Sequence, residues 1–216
     1  MVKAVIFDVD GTLLDTERIY MQAWKDAAAS MGYVITDDLL RKTRAISAKE
    51  AVRIFEEEIG NGFSYAKVRP ERVRIAEEII HRESPILKPG VTELLDFLAE
   101  KQIPMAVASS TNLAGTRDHL AASHILDYFQ VVVGGDMVVN GKPHPDIFLK
   151  AAQLLDTAPE NCIVVEDSPA GIRAAVSASM AAVLVPDRAA ITQEIVEMST
   201  LVLESLCALP DHWDTL

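Results

Sequence analysis

Near its start the chain reads Ala4-Val5-Ile6-Phe7-Asp8-Val9-Asp10-Gly11-Thr12-Leu13-Leu14-Asp15, in which a short apolar run ends abruptly at two carboxylates. An unbroken apolar run of this length is typical of a strand that is buried on both faces, as in a parallel sheet. In open parallel sheets, ligands bind just beyond the carboxyl ends of the strands, where Asp8 and Asp10 fall. Because side chains two residues apart on a strand point the same way, we expect both carboxylates to face one cavity.

The same residues also fit a plain turn, because Asp and Gly are common turn formers. A turn, however, needs only one Asp and a Gly. A second carboxylate at a buried strand end costs desolvation energy unless a partner compensates its charge. The pattern therefore favours a polar site over a turn alone, with Gly11 allowing the backbone to turn and Thr12 offering a hydroxyl.

Composition is that of an ordinary globular protein, and the charge narrows the choice of partners. The 216 residues are 50% hydrophobic and 24% charged, with a formal net charge of −12. Nucleic acid and anionic membranes both require a basic surface, so we expect neither as a partner. Two separated cysteines, Cys162 and Cys207, indicate a reducing compartment. Because we find neither a signal region nor an apolar run of membrane-spanning length, we expect a cytoplasmic protein.

After the first strand, residues 16–84 show helical spacing without a convincing strand. We expect one helix to follow a capping box at Ser47-Ala48-Lys49-Glu50 and another to start at about Pro70, a favoured first helical residue. A block of this length is typical of a small domain. The sequence therefore predicts a helical domain inserted after the first strand.

From Gly90 onward the chain alternates between helices and strands. Further strands are expected at 105–108, 131–133 and 162–165, with a last one at 182–185. Repeated strand–helix units predict a parallel sheet that helices cover on both faces. The predicted fold is α/β: a Rossmann-like, doubly wound parallel sheet core (1–15 and 85–216) that carries a helical domain (16–84).

Polar residues follow the other strands as well. Ser109 comes directly after the second predicted strand, where the next helix offers backbone N–H groups to an anion, and Glu166-Asp167 follow the fourth. Lys142 lies shortly before a predicted helix, in a loop that contains two prolines. Taken singly, each has an ordinary explanation, a helix N-cap for the first two and a solvated lysine for the third. Because a parallel sheet brings its strand ends to one edge, together they predict a single site.

Electrostatics indicates what such a site would contain. Two like charges about 4 Å apart repel by roughly 4 kcal/mol at an effective dielectric constant of about 20, so several ionised carboxylates cannot share a cavity without a cation. Carboxylate oxygens favour Mg²⁺, whereas zinc prefers Cys and His ligands. A metal beside a lysine, a hydroxyl and a helix N-terminus suits a phosphoryl group. One aspartate could then attack phosphorus while another transfers the proton of the leaving alcohol.

These residues also resemble a known family. Asp8-Val9-Asp10-Gly11-Thr12, followed in order by Ser109, Lys142 and Glu166-Asp167, resembles the four-motif pattern of the haloacid dehalogenase (HAD) superfamily. The helical insert after the first motif is similar to the small α-helical cap of its β-phosphoglucomutase-like branch. The resemblance spans essentially the whole chain and implies Mg²⁺-dependent phosphoryl transfer through an aspartyl-phosphate. It also implies a cap that closes over the substrate.

The resemblance implies a role for each motif residue. Asp8 would be the nucleophile, and Asp10 would act as general acid and then base while its backbone carbonyl binds Mg²⁺. Lys142 would neutralise the charge of the nucleophile and of the phosphoryl oxygens. The other positions divide into two groups: phosphate-binding residues Gly11, Thr12, Ser109 and Ser110, and metal-binding residues Asp8 and Asp167 with Glu166 assisting.

Within this superfamily, the second aspartate indicates phosphate rather than halide chemistry, because only an alcohol leaving group needs a proton. Two activities remain: a phosphatase for a small phosphorylated metabolite, with sugar phosphates expected, and a phosphosugar mutase. In the mutases, an arginine that binds a second phosphate stands where this chain has Ala48, and a histidine stands where it has Tyr20. These differences favour the phosphatase, with Arg44 and Ser47 expected among the cap residues that bind substrate.

A third alternative is a non-catalytic protein that binds a phosphorylated ligand on the same frame. Such a frame usually lacks one of the two aspartates or the lysine, and this chain has all three. The sequence identifies neither the metabolite nor the oligomeric state. We expect a small phosphorylated metabolite as the partner, and a monomer or a small homo-oligomer.

Overall fold

The structure, a computed structural model, describes residues 2–43, 48–187 and 190–216, without the side chains of Ala48 and Lys49. The chain divides into two compact units, which we call the core unit (Met1–Asp15 with Pro85–Leu216) and the helical unit (Thr16–Ser84). That the core unit is the catalytic domain and the helical unit a cap stays a prediction.

Six parallel strands form the sheet of the core unit: β1 (Ala4–Phe7), β2 (Met105–Ala108), β3 (Val131–Val133), β4 (Cys162–Glu166), β5 (Ala181–Leu184) and β6 (Leu201–Val202). They lie in the order β3-β2-β1-β4-β5-β6. The predicted α/β fold with a doubly wound parallel sheet is therefore confirmed. The strand order reverses between β1 and β4, and sheets of this kind bind ligands at such a switch point.

Four helices make up the described part of the helical unit: α1 (Glu17–Ser30), α2 (Asp37–Lys42), α3 (Ala48–Ile59) and α4 (Tyr65–Glu83). Helix α1 packs on α4. An aromatic cluster joins three of the helices, since the ring centroid of Trp24 lies 4.9 Å from that of Phe55 and 5.1 Å from that of Tyr65. The helical unit thus has a hydrophobic core of its own.

The prediction that a helix starts at about Pro70 is wrong, because α4 already starts at Tyr65 and contains the proline. Pro70 cannot donate a hydrogen bond to the preceding turn, which normally disfavours a helix interior. Here the preceding turn buries Val68 completely and packs Tyr65 on the aromatic cluster. These apolar contacts offset the lost hydrogen bond. The predicted capping box cannot be compared, since Ser47 lies outside the described residues.

Helices cover both faces of the sheet: α5 (Val91–Glu100), α6 (Leu113–Ala122), α7 (Asp146–Leu154), α8 (Pro169–Ser177), α9 (Gln193–Met198) and α10 (Leu209–His212). Alternate residues of β1 enter opposite apolar layers. Val5 and Phe7 pack in the layer that contains residues of α5 and α6, whereas Ala4 and Ile6 pack in the layer that contains residues of α7 and α8. All four residues of β1 are completely buried, as its unbroken apolar sequence predicts.

The prediction that the strand near 182–185 is the last one is wrong, because β6 pairs with β5 beyond it. Two backbone hydrogen bonds extend this ladder, from the N–H of Thr200 to the carbonyl of Ala182 and from the N–H of Leu203 to the carbonyl of Leu184. A two-residue strand is too short to show an alternating pattern.

In the part of the chain that the structure describes, no helix has both the length and the apolar character that crossing a membrane requires.

Candidate active site

The first and fourth strands bring their acidic ends together. Asp8 continues the ladder beyond β1, since its N–H donates to the carbonyl of Val165 in β4 at 3.0 Å. At Gly11 the backbone turns with φ of +97°, and a Cβ there would lie 2.3 Å from Oδ2 of Asp167. The position therefore requires glycine twice over, for its backbone angle and for the close approach of Asp167.

Lys142 reaches the ends of three strands at once. Its Nζ donates to Oδ1 of Asp8 at 2.5 Å, to Oε1 of Glu166 at 2.7 Å and to the carbonyl of Ala108 at 3.2 Å. These contacts use all three donors of the ammonium group. Burial alone would lower the pKa of Lys142, but the charges of Asp8 and Glu166 outweigh this effect and raise it above its ordinary value. Lys142 is therefore held as a buried cation.

Glu166 is bound through both carboxylate oxygens. Oε1 accepts from Lys142, and Oε2 accepts from the N–H of Ser168 at 2.8 Å and from its hydroxyl at 2.9 Å. The same hydroxyl accepts from the N–H of Gly171, so Ser168 is the N-cap of α8. A Cβ at Gly171 would lie 1.8 Å from Cδ of Glu166. The side chain of Glu166 is thus fixed by its surroundings, and the glutamate is only 1% exposed.

Three acids gather beside the lysine, since carboxylate oxygens of Asp8, Glu166 and Asp167 all lie within 4.8 Å of one another. Burial raises the pKa of Asp8 to about 7, because Lys142 offsets only part of this effect and the charges of Glu166 and Asp10 add to it. Burial, followed by the charges of Glu166 and Asp8, raises the pKa of Asp167 to about 9. The cluster therefore holds more potential negative charge than Lys142 compensates.

The donor set of this cluster fits Mg²⁺. The ligand atoms on offer are hard carboxylate oxygens, which Mg²⁺ prefers. Oxygens on opposite sides of a Mg²⁺ ion lie about 4.2 Å apart, given metal–oxygen distances of about 2.1 Å. The spacing in the cluster, within 4.8 Å, agrees with this requirement. Because Glu166 already has partners on both oxygens, Asp8 and Asp167 are the better candidates for direct ligands.

Two hydroxyls point at the second aspartate of the first motif. Oδ2 of Asp10 accepts from the hydroxyl of Ser109 at 3.4 Å and from that of Thr111 at 3.2 Å. The N–H of Thr111 in turn donates to Oγ of Ser109 at 3.1 Å. Our sequence reasoning selected Ser109 and did not find Thr111. Its spacing of two residues from Ser109 is the signal that could have indicated a shared direction.

The predicted phosphate-binding residues are arranged differently from one another. Ser109 is buried and Ser110 is exposed, while Thr12 is 1% exposed and its hydroxyl has no hydrogen-bond partner among the described residues. The expected free N–H groups in the first turn of α6 are partly occupied, since Leu113 donates to Asp136 at 2.8 Å and Gly115 donates to the N-cap Asn112 at 2.8 Å. These N–H groups are occupied because the side chains of Asp136 and Asn112 accept their hydrogen bonds. The loop before α6 is therefore the better anion-binding candidate.

The helical unit has a pocket of its own, with a volume of about 190 Å³. Tyr20 and Trp24 line it, and the guanidinium carbon of Arg72 lies 4.2 Å and 5.8 Å from the centroids of their rings. Our sequence reasoning did not find Arg72, because nothing in its spacing separates it from the other arginines of α4. The predicted cap residues Arg44 and Ser47 lie outside the described residues.

Comparison with known proteins places the chain in a family. The family model of the haloacid dehalogenase-like hydrolases, which describes their shared sequence pattern, matches residues 5–185. A phosphorylated carbohydrates phosphatase of Thermotoga maritima is 38% identical over 82% of this chain and 82% of its own length. A β-phosphoglucomutase of Bacillus subtilis is 34% identical over 84% of this chain and 82% of its own length.

A solved structure gives the same result. The crystal structure of CbbY from Rhodobacter sphaeroides in complex with phosphate has a TM-score of 0.81 and 27% identity, covering 97% of this chain and 96% of its own. The match extends over both units of this chain. The family resemblance inferred from the four motifs is thereby confirmed. The chain belongs to the haloacid dehalogenase-like hydrolases, in their β-phosphoglucomutase-like branch, and is an enzyme of that class.

Proposed function

We propose that this enzyme is a Mg²⁺-dependent phosphatase that hydrolyses a small phosphorylated metabolite, with sugar phosphates as the favoured class, through an aspartyl-phosphate. The observation that supports it most is the contact of Lys142 with Asp8 at 2.5 Å beside the acid cluster. A buried ammonium there can neutralise a carboxylate nucleophile and the phosphoryl oxygens that approach it. Such an arrangement suits phosphoryl transfer better than binding alone.

In the proposed reaction, a carboxylate oxygen of Asp8 forms a bond to phosphorus while the bond from phosphorus to the leaving oxygen breaks. Because Lys142 holds Oδ1, the second oxygen of Asp8 is the one available for attack. Asp10 donates a proton to the leaving alcohol. Asp10 then takes a proton from water as that water attacks phosphorus, and the bond from Asp8 to phosphorus breaks to release phosphate.

We propose that Asp8 and Asp167 hold the Mg²⁺ ion, together with the backbone carbonyl of Asp10. The ion would supply charge stabilisation at the phosphoryl group. Glu166 would assist indirectly, because its contact with Lys142 at 2.7 Å orients the ammonium group toward Asp8. Ser109 and the N–H of Ser110 would bind the phosphoryl oxygens, and the buried hydroxyl of Thr12 is a further candidate.

The substrate class is inferred from relatives. The phosphatase of Thermotoga maritima acts on phosphorylated carbohydrates by its name. Two further relatives, from Arabidopsis thaliana, are named glycerol-3-phosphatases and are 35% and 32% identical to this chain. Small phosphorylated alcohols and sugars are therefore the compounds to try first, with the helical unit proposed to cover them and exclude bulk water.

The test is hydrolysis of p-nitrophenyl phosphate with Mg²⁺ and with a chelator, followed by a panel of phosphorylated metabolites scored by released phosphate. We expect turnover that requires Mg²⁺ and that Asp8→Asn abolishes. Asp118→Asn, on the exposed side of α6, is the matched control and should retain activity. If Asp8→Asn kept most of the activity, or the wild-type protein were folded but inactive on every compound, the proposal would be wrong.

A phosphosugar mutase is the second candidate, favoured by the 34% identity to the β-phosphoglucomutase of Bacillus subtilis. Such an enzyme must grip a second phosphate while the first is transferred. Tyr20 stands where the mutases have a histidine, which favours the phosphatase. Supplying β-glucose 1-phosphate with catalytic bisphosphate separates the two. Glucose 6-phosphate among the products would establish the mutase, and free phosphate without it would exclude the mutase.

A further inference from the structure

Ser168 makes hydrogen bonds in two directions through one hydroxyl. Its Oγ donates to Oε2 of Glu166 at 2.9 Å and accepts from the N–H of Gly171 at 3.1 Å. A serine hydroxyl has one proton, and a backbone N–H can only donate, so the contact with Gly171 leaves that proton to Glu166. The N-cap contact of α8 therefore also fixes the direction in which Ser168 donates.

The carboxylate of Glu166 depends on these contacts for its position. Oε2 accepts from the N–H of Ser168 at 2.8 Å as well as from its hydroxyl. On the side of α8 the carboxylate lies directly against Gly171, where an added Cβ would be 1.8 Å from Cδ. Because the two oxygens belong to one planar group, the contacts that hold Oε2 also set the position of Oε1, which accepts from Lys142 at 2.7 Å.

Lys142 extends the effect to the proposed nucleophile. Its Nζ contacts both acids, at 2.7 Å from Oε1 of Glu166 and 2.5 Å from Oδ1 of Asp8. The ammonium group ends a flexible side chain, so its position depends on the groups that bind it. A displacement of about 1 Å at a reacting group can cost about 100-fold in rate. A shift of the Glu166 carboxylate would therefore weaken the charge stabilisation that Lys142 is proposed to supply at Asp8.

We propose that Ser168 is a positioning residue, which acts through Glu166 to hold the ammonium group of Lys142 at Asp8. The inference rests on the proposed phosphatase function and deepens it. In this role Ser168 contacts neither substrate nor phosphorus, and it keeps its proton throughout the reaction.

A double-mutant cycle with Glu166→Gln separates this role from helix capping. Ser168→Ala alone removes both, since the hydroxyl also caps α8. In Glu166→Gln, both groups of Ser168 that bind the side chain at position 166 are donors, so the amide oxygen is expected on their side. The amide NH₂ group then lies opposite Lys142, which cannot accept a hydrogen bond. The link between Ser168 and Lys142 is thereby lost, whereas the contact with Gly171 stays.

Two quantities are measured in Mg²⁺: kcat/KM for p-nitrophenyl phosphate, and the dissociation constant of vanadate, an analogue of the phosphoryl group during transfer that needs no turnover. In the wild-type background we expect Ser168→Ala to lower kcat/KM and to weaken vanadate binding by about 10-fold, roughly the effect of one hydrogen bond to a charged group. In the Glu166→Gln background the same substitution should change both by less than about 2-fold, which is within the usual error of additivity. Where Glu166→Gln leaves too little turnover to measure, vanadate binding decides.

Thr36→Ala is the matched control, because Thr36 caps α2 in the helical unit by accepting from the N–H of Leu39 at 3.2 Å. It should lower stability in urea and leave kcat/KM and vanadate binding unchanged. An equal loss from Ser168→Ala in both backgrounds would overturn the inference, because it would show a capping role alone. No loss in the wild-type background would overturn it as well. A folded wild-type protein that neither hydrolyses phosphate esters nor binds vanadate would instead overturn the phosphatase function on which the inference rests.

Discussion

Replacing Lys142 by methionine removes the only charge that the described part of the site sets against its acids. The side chain is 6% exposed and pairs with Asp8 and Glu166, whose side chains are 9% and 1% exposed. Removing one partner of a buried ion pair costs roughly 3–5 kcal/mol when the other charge stays buried. The acids have an alternative, however, because they can take up protons and become neutral.

Because of this alternative, the destabilisation by Lys142→Met depends on pH. Without Lys142, whose charge lowers the pKa values of Asp8 and Asp167, those pKa values rise further above their unfolded values, so the folded variant binds more protons than the folded wild-type protein. The free energy of unfolding then decreases as the pH rises from the unfolded to the raised pKa. One additional bound proton gives a slope of about 1.4 kcal/mol per pH unit. Wild-type Asp8, whose pKa is about 7, already keeps its proton over most of the interval from pH 5.5 to pH 7.5, so over this interval the variant loses only about 1 kcal/mol more than the wild-type protein. We expect Lys142→Met to be destabilising by about 1 kcal/mol at pH 5.5 and by about 2 kcal/mol at pH 7.5.

Urea unfolding with a chelator at the two pH values measures this difference, because a bound cation would otherwise replace the lost charge. Trp213 packs on Phe97 in the core unit, and Trp24 belongs to the helical unit. A Trp24→Phe background therefore makes tryptophan fluorescence report on the core unit. Lys67→Met, at an exposed position, is the control and should have little effect at either pH. If the destabilisation by Lys142→Met were the same at both pH values, or no larger than that of the control, the reasoning would be refuted.

Two further predictions concern the same cluster. Mg²⁺ should raise the melting temperature more at pH 8 than at pH 5.5, because protons compete for Asp8 and Asp167, whose pKa values are raised to about 7 and about 9. Scanning fluorimetry checks this, and a shift that did not depend on pH would contradict it. Gly171→Ala should destabilise the protein by about 2 kcal/mol or more through overpacking, since the new Cβ would lie 1.8 Å from Cδ of Glu166. Gly141→Ala, where nothing lies within 4 Å of the added Cβ, is the control and should be nearly neutral in urea unfolding. Equal destabilisation by Gly171→Ala and Gly141→Ala would contradict the packing argument.

The sequence predicts those parts of the fold in which a local pattern repeats. The apolar runs of β1 and β4 and the alternation of helices and strands indicate the parallel sheet, which the structure confirms. The start of α4 and the existence of β6 were not predicted correctly. In both cases contacts between distant residues decide the outcome: the packing of Tyr65 on Trp24 for the helix, and the ladder with β5 for the short strand.

The candidate site shows the same division. Acids and a lysine at strand ends can be listed from sequence, and the structure brings Asp8, Lys142, Glu166 and Asp167 together, although their catalytic roles stay predictions. The groups that hold them were missed, because each is recognisable only from its geometry. The carbonyl of Ala108 has no sequence signal at all. Ser168 looks like an ordinary N-cap until its second contact, with Glu166, is known.

The position of the site also explains how the fold can hold such a crowded group of acids. Asp8 and Glu166 lie at the ends of β1 and β4, the two strands on either side of the switch point, whose residues are at most 1% exposed. Burial between two apolar layers gives these strands the stability that offsets the repulsion among their acidic ends. An edge strand such as β6, with only two paired residues, is not stabilised by burial to a comparable degree. The acids that repel one another lie at the ends of deeply buried strands. Loss of Lys142 should therefore destabilise the core unit increasingly as the pH rises, and still leave it folded at pH 5.5, where bound protons neutralise the acids.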